Sequence, residues 1–73
     1  MNNDEILLIQ KYLRKKFNLE TIALHRRPNK DDSVEVMIGS EFIGVIYRDD
    51  EDGEVSYDFN MAILDFDLHD EEG

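Results

Sequence analysis

The sequence predicts an α+β fold, in which an N-terminal amphipathic helix packs on a four-stranded antiparallel β-meander in the order α-β-β-β-β. Apolar residues recur at helical spacing near the amino terminus, and short alternating apolar runs separated by glycine-containing turns follow over residues 31–64. A chain of 73 residues can bury one modest core. We therefore expect one compact domain over residues 1–68 and an acidic, disordered tail over residues 69–73.

The first predicted element is a helix over roughly residues 4–17. Asn2 or Asn3 can cap its start, and Asn18 can end it in the left-handed conformation. At helical spacing one face is apolar and the opposite face is basic, so the helix should pack on the sheet through the apolar face. That face comprises Ile6, Ile9, Leu13 and Phe17, with Tyr12 at its edge.

Four strands are expected to follow, the first of them over residues 20–27 and then a loop over residues 28–32. Gly39-Ser40 suits a two-residue hairpin turn that sets Val36 opposite Ile43. A three-residue loop at residues 51–53 is predicted for the last hairpin, because a two-residue turn at Asp52-Gly53 would place Asp58 and Asn60 on the core face. The predicted core face is Val34, Val36, Ile38, Ile43, Val45, Tyr47, Tyr57, Phe59 and Met61.

The opposite sheet face is predicted to carry a smaller apolar patch formed by Met37, Phe42 and Ile46. One helix cannot cover both faces of a sheet, so this patch is the predicted surface for a protein partner or a second copy of the chain. The alternation changes phase near Ala62, where a bulge or bend is expected.

Charge is divided unevenly along the chain. Residues 1–30 carry seven Lys and Arg against three Asp and Glu, a net charge of +4, whereas residues 31–73 carry one Arg against fifteen carboxylates, a net charge of −14. Together they give the overall −10. The basic part favours an alternative function, the binding of RNA or DNA, which the acidic body of the protein opposes. The predicted basic patch is Lys11, Arg14, Lys15, Arg26, Arg27 and Lys30.

No catalytic, cofactor or metal motif is found in the sequence. The acidic loop at residues 49–54 resembles a calcium loop but fails in register, because Gly53 at the sixth ligand position places Phe59 where the bidentate Glu belongs. His25 and His69 are the only histidines and cysteine is absent, which disfavours a closed zinc site. We therefore expect neither enzymatic activity nor a cofactor. The lack of cysteine, of a signal peptide and of a long apolar run favours a cytoplasmic protein with no membrane segment.

Several segments of the chain form a distinctive combination: residues 31–36, 39–54 and 56–64, with Tyr12-Leu13-Arg14 of the helix and Arg27-Pro28 of the loop. Together they resemble a family of short bacterial proteins catalogued only as a domain of unknown function. The resemblance covers nearly the whole chain and implies a stand-alone intracellular domain. It implies no activity, cofactor, partner or functional residue.

The function expected from the sequence is therefore a small, non-catalytic protein-interaction domain. It is expected to self-associate or to dock a protein partner through the second sheet face, with nucleic-acid binding through the basic patch as the alternative.

Overall fold

The fold is an N-terminal helix followed by a four-stranded antiparallel sheet with strand order β1-β2-β3-β4, as the sequence predicts. The computed structural model describes residues 1–69, with the backbone alone at residues 66 and 67. Within this range no helix is both long and apolar enough to cross a membrane. The elements are α1 (Asn3–Phe17), β1 (Ile22–Arg27), β2 (Lys30–Ile38), β3 (Glu41–Asp49), β4 (Ser56–Met61) and α2 (Asp65–Leu68).

Both ends of α1 are capped by asparagine, which confirms the two predicted caps. The Asn2 side chain accepts a hydrogen bond from the Glu5 backbone N–H (2.8 Å), and the Glu5 carboxylate accepts one from the Asn2 N–H (3.1 Å). This reciprocal pair is a capping box. At the other end Asn18 takes a left-handed conformation (φ 52°) and ends the helix.

Two side chains of α1 hold the helix over β1. Gln10 Oε1 accepts a hydrogen bond from the Leu24 backbone N–H (3.0 Å), and Arg14 Nε donates one to the Ile22 carbonyl (2.7 Å). Because β1 is an edge strand, these bonds satisfy backbone groups that strand pairing leaves open there. They place the helix toward the β1 side of the sheet.

The predicted loop over residues 28–32 is wrong, because β2 already begins at Lys30. A tight turn at Pro28-Asn29 replaces it, in which Asn29 adopts a positive φ of 61°. Proline fixes its own φ and asparagine tolerates the left-handed region, so two residues suffice to reverse the chain. The predicted turn at Gly39-Ser40 is confirmed, with Gly39 at φ 60°.

A β-bulge in β3 changes the predicted register. Ile38 pairs with Glu41 and Met37 with Phe42, but Val36 then pairs with Gly44, so Ile43 is an extra residue in β3. The predicted pair of Val36 with Ile43 is therefore wrong. Beyond the bulge every β3 side chain lies on the face opposite to the one predicted.

The register between β3 and β4 shifts by the same single residue. Ile46 pairs with Phe59 and Arg48 with Tyr57, whereas the sequence predicted Val45 and Tyr47 in these places. The last hairpin loop consequently spans residues 50–55 and is longer than the predicted three residues. Gly53 has a positive φ of 82°, and its N–H donates to the Asp50 carbonyl (3.3 Å).

The core lies between α1 and the facing side of the sheet. Of the predicted core face, Val34 and Val36 are buried, and Ile38, Ile43 and Phe59 pack partly buried against the core. Val45 and Tyr47 were assigned wrongly, because the bulge turns them to the open face and puts Ile46 in the core. The buried apolar residues are Ile6, Leu13, Ile22, Leu24, Val34, Val36 and Ile46.

The chain leaves the sheet after Met61, where the sequence predicted a bend near Ala62. It continues through residues 62–64 into the short helix α2. Ile63 and Leu68 are exposed to 66% and 70% in this segment. Of the predicted tail, residues 70–73 lie outside the described residues.

Candidate protein-interaction site

An apolar groove runs between α1 and the β3–β4 half of the sheet. Its volume is about 460 Å³. Lys16 is the single charged side chain among the described residues that line it, and the Lys16 ammonium lies 5.9 Å from the centroid of the Tyr12 ring. The wall from α1 is formed by Leu8, Ile9, Tyr12, Leu13, Lys16 and Phe17, and the floor and opposite wall by Ile46, Tyr57 and Phe59.

The groove exists because α1 is held off centre on the sheet. The bonds of Gln10 and Arg14 to β1 fix the helix over one edge of the sheet. The residues on the other side of the helix then overhang β3 and β4 without reaching close packing. Leu8 is 68% exposed and Tyr12 and Phe17 are also more than half exposed, so apolar surface faces solvent along the groove.

A polar cluster joins the amino-terminal end of α1 to β3 and β4 at one end of the groove. Glu5 Oε2 accepts hydrogen bonds from Tyr57 Oη (2.5 Å) and Arg48 Nε (2.9 Å). Arg48 Nη1 also contacts Asp50 Oδ2 (2.9 Å). Because each of the first three residues comes from a different element, this cluster fixes the position of the helix start relative to the second hairpin.

The same cluster shifts the pKa values of its members. The hydrogen bond from Tyr57 contributes most to lowering the pKa of Glu5 to about 2, followed by the hydrogen bond from the Asn2 amide and then by the hydrogen bond and positive charge of Arg48. The neighbouring carboxylate raises the pKa of Tyr57, since a phenolate would lose this hydrogen bond and face a negative charge. At neutral pH Glu5 is therefore ionised and Tyr57 neutral, and these are the protonation states that favour the hydrogen bonds of the cluster.

The groove residues on α1 were not predicted as a binding site from the sequence. Tyr12 and Phe17 were assigned to the core-facing stripe, and Leu8 was given no role. A signal was present in the adjacent pair Leu7-Leu8, because two neighbouring leucines cannot both lie on one narrow helical stripe. Leu7 is 60% exposed and does not line the groove, so it provides a natural control for Leu8.

The predicted partner patch on the second sheet face is only partly present. Ile46 was assigned to it wrongly, because Ile46 is 1% exposed and belongs to the core. Phe42 is 52% exposed and Met37 is half-buried, and the two residues pair across the β2–β3 ladder. A shallow pocket of about 270 Å³ lies beside Phe42, Val45 and Tyr47 on the open face.

The predicted basic patch is divided between two ends of the molecule. Lys11, Arg14 and Lys15 lie together near the carboxyl-terminal end of α1, where they line a surface pocket that also contains Glu20. Arg26, in contrast, donates to the Met1 carbonyl (3.0 Å) and to Asn3 Oδ1 (2.6 Å), at the amino-terminal end.

The remaining arginines of the patch are also committed to contacts within the chain. Arg14 donates to the Ile22 carbonyl, and Arg27 donates to Ser33 Oγ (3.2 Å). Lys30 begins β2 and is exposed. The six residues thus do not form one continuous surface for a phosphate backbone, and the arginines have fewer donors free for phosphates than the sequence indicated.

No group of three or more His, Cys, Asp or Glu side chains suited to hold a metal ion occurs among the described residues. His69 Nε2 lies 3.5 Å from Asp65 Oδ1 in an exposed pair one helical turn apart. His25 is exposed on β1.

Comparison with known proteins gives one match. A family model with the description "Protein of unknown function (DUF3126)" matches residues 5–67, which is most of the chain. No curated protein and no solved structure matches it.

Proposed function

Since the chain belongs to the DUF3126 family, whose description assigns no activity, we propose its function from the groove: it is a protein-interaction domain that binds an apolar segment of a protein between α1 and β4. The observation that supports this most is the composition of the groove walls. Eight of the nine lining residues are apolar or aromatic, and several of them are more than half exposed. Apolar side chains concentrated in one concave surface are typical of a docking site.

The shape of the groove favours a peptide segment as its occupant. One wall is a helix and the other is a strand at the edge of the sheet, so the groove is long and open along its side. Grooves of this kind take a short helix or an extended segment that inserts apolar side chains at regular spacing. Tyr12 and Tyr57 supply large apolar area with a polar end, as aromatic residues do at protein interfaces.

The proposed surface replaces the one expected from the sequence. Ile46 lies in the core and not on the open sheet face, and the apolar residues that remain on that face surround a pocket smaller than the groove. We still propose a protein-interaction domain, as expected from the sequence, but with the groove as its binding surface.

Site-specific photo-crosslinking in the native host tests this proposal. A benzophenone amino acid placed at Leu8 should form an adduct with a protein, because its side chain points into the groove region. The same amino acid at Leu7, which is similarly exposed on the same helix, is the matched control. Adducts of equal yield at both positions, or at neither, would contradict the proposal, as would an adduct at Leu8 that nuclease treatment removes.

A further inference from the structure

We propose that the groove of one chain binds the C-terminal segment of a second copy, residues 62–68, so that two chains exchange these segments in a closed dimer. The inference rests on the proposed function of the groove and names its partner. It depends on three properties of the described residues: the apolar side chains of the segment, the opposite charges of segment and helix, and the direction of β4.

The segment has the apolar side chains that the groove requires. Ile63 is 66% and Leu68 is 70% exposed, although both are large aliphatic residues within a stretch of six. The described residues that line the groove all come from α1, β3 and β4, so neither Ile63 nor Leu68 fills the groove of its own chain. Burying Ile63 and Leu68 against Leu8, Tyr12 and Phe59 would remove apolar surface from water on both sides.

Charge favours the same pairing. Residues 62–73 contain five carboxylates and neither Lys nor Arg. The groove is lined by one cation, Lys16, which forms no ion pair with any of the described side chains. Lys11 and Lys15 line a different pocket on the same helix. A segment with apolar side chains and flanking carboxylates therefore complements an apolar groove with a lysine in its wall.

The direction of β4 favours a second copy over the same chain. Tyr57 lies beside Glu5 at the helix start, so β4 runs from that end of the groove toward Met61 at the far end. To enter its own groove, the chain would have to reverse within residues 62–64 and return along the strand it has just left. No such reversal is needed when the segment enters the groove of another chain.

Strand β4 also offers a way to bring the two chains together. It is an edge strand whose outer side pairs with no other strand of the described chain. Antiparallel pairing of the two edges around Met61, across a two-fold axis, would lead the chain that follows Met61 along the second copy's β4, from its Met61 end toward Tyr57 and Leu8. The exchange would be reciprocal, so both grooves would be filled and the assembly would stop at two chains.

Sedimentation equilibrium of the full chain and three variants tests the inference. Leu8→Asp alters the groove, Leu68→Asp alters the segment, and Leu7→Asp is the control at a similarly exposed position outside the groove. We expect the wild type and Leu7→Asp to be dimers, and Leu8→Asp and Leu68→Asp to associate at least ~10-fold more weakly, because each puts a charge into an apolar contact.

A mixture of the two weakened variants provides the decisive result. In a mixed dimer the intact segment of the Leu8→Asp chain meets the intact groove of the Leu68→Asp chain, so one of the two contacts is restored. Because Leu8 and Leu68 belong to the same proposed contact, one Asp already disrupts it and a second Asp costs little more. The mixture should therefore associate more strongly than either variant alone. A monomeric wild type, a dimer that both variants leave intact, or a mixture no stronger than its components would overturn the exchange.

Failure of this inference is distinguishable from failure of the proposed function. If the wild type is monomeric but the photo-crosslinker at Leu8 captures a different protein and the one at Leu7 does not, the groove remains a docking site and the second copy is excluded as its partner. If neither experiment gives a groove-dependent contact, both proposals are wrong.

Discussion

Gly44 lies where the backbone of β4 leaves no room for a side chain on β3. A Cβ atom at this position would lie 2.4 Å from the Asn60 carbonyl oxygen and 2.7 Å from Phe59 Cε1. The backbone oxygen cannot move without disturbing the ladder, so only glycine fits here. Gly44 therefore allows Phe59 to pack over β3 at the floor of the groove.

Gly44→Ala should destabilise the protein by about 1–3 kcal/mol, the usual cost of overpacking a tight contact. Gly53→Asn is the control, because Gly53 has a positive φ with open space around it and asparagine tolerates that conformation. The control should change the free energy of unfolding by less than ~0.5 kcal/mol. Urea unfolding of both variants measures these values, and a Gly44→Ala variant as stable as the wild type would contradict the close approach.

Glu5 should make stability depend on acidic pH. Its pKa is lowered in the folded protein to about 2, from 4.5 for the free side chain, so the unfolded chain binds the proton more readily. The contribution of Glu5 is therefore fully present above about pH 4.5 and is lost as the pH falls toward 2. Because many other carboxylates titrate in this range, the effect is isolated by comparison with a variant.

Glu5→Gln should lower the urea midpoint at pH 7 and should remove part of the acid-dependent loss between pH 4.5 and pH 2. Tyr57→Phe should act in the same direction, since the Tyr57 hydroxyl makes the largest contribution to the lowered pKa of Glu5. Its effect should be smaller than that of Glu5→Gln, because the hydrogen bonds from Asn2 and Arg48 remain. Parallel midpoint-against-pH curves for the wild type and Glu5→Gln would show that the cluster with Arg48 and Tyr57 does not form in solution.

At the scale of elements, α1 was predictable because its signals are local. The Asn2 and Asn18 caps and the 3.6-residue periodicity depend on residues close in sequence, and the structure confirms all three. The asymmetric position of the helix was not predictable in the same way. It depends on the bonds of Gln10 and Arg14 to β1, which join residues 14 and 8 positions apart through the tertiary fold.

The face of β3 was predicted wrongly because both of its alternating residue sets are apolar. Ile43, Val45 and Tyr47 fit a core face, and so do Phe42, Gly44 and Ile46. Tertiary contacts decide between them: the bulge at Ile43 places Ile46 in the core and brings Arg48 to Glu5. Glycine inside a strand is a known marker of bulges and close approaches, so Gly44 was the signal available in the sequence.

The anchoring of α1 to β1 predicts a local effect of Gln10. Gln10→Ala would leave the Leu24 N–H without its acceptor, and should cost about 1 kcal/mol. Hydrogen exchange at the Leu24 amide should become faster, while exchange in β3 should change only through global stability. Lys11→Ala, at the adjacent exposed position, is the control. Unchanged protection of Leu24 in the Gln10 variant would mean that another acceptor holds the strand edge.

At the scale of the whole molecule, the uneven charge of the chain should make association of the proposed dimer depend on salt. Lys16 of each chain would lie beside the acidic C-terminal segment of the other, so salt should weaken association moderately without abolishing it, because the contact is chiefly apolar. Sedimentation equilibrium over a range of NaCl concentrations measures this. Complete dissociation at high salt would show that charge alone holds the chains together.

Phe42 discriminates between the two candidate surfaces at this scale. The sequence pointed to the open sheet face, on which Phe42 is the most exposed of the three predicted patch residues. Phe42→Asp should leave the dimer dissociation constant unchanged within about threefold, since the groove lies on the other side of the sheet. Loss of association in this variant, with Leu8→Asp still dimeric, would show that the open sheet face is the interface.

Isotope-mixed crosslinking shows whether the groove of one chain receives the C-terminal segment of another. Chains with natural nitrogen and with ¹⁵N are mixed, treated with a carbodiimide that joins lysines to carboxylates in contact, and analysed by mass spectrometry. We expect crosslinks between Lys16 and Asp65 in which one peptide is light and the other heavy. Lys16 joined to Asp65 only within pairs of a single isotope, or not joined to it at all, would contradict the exchange.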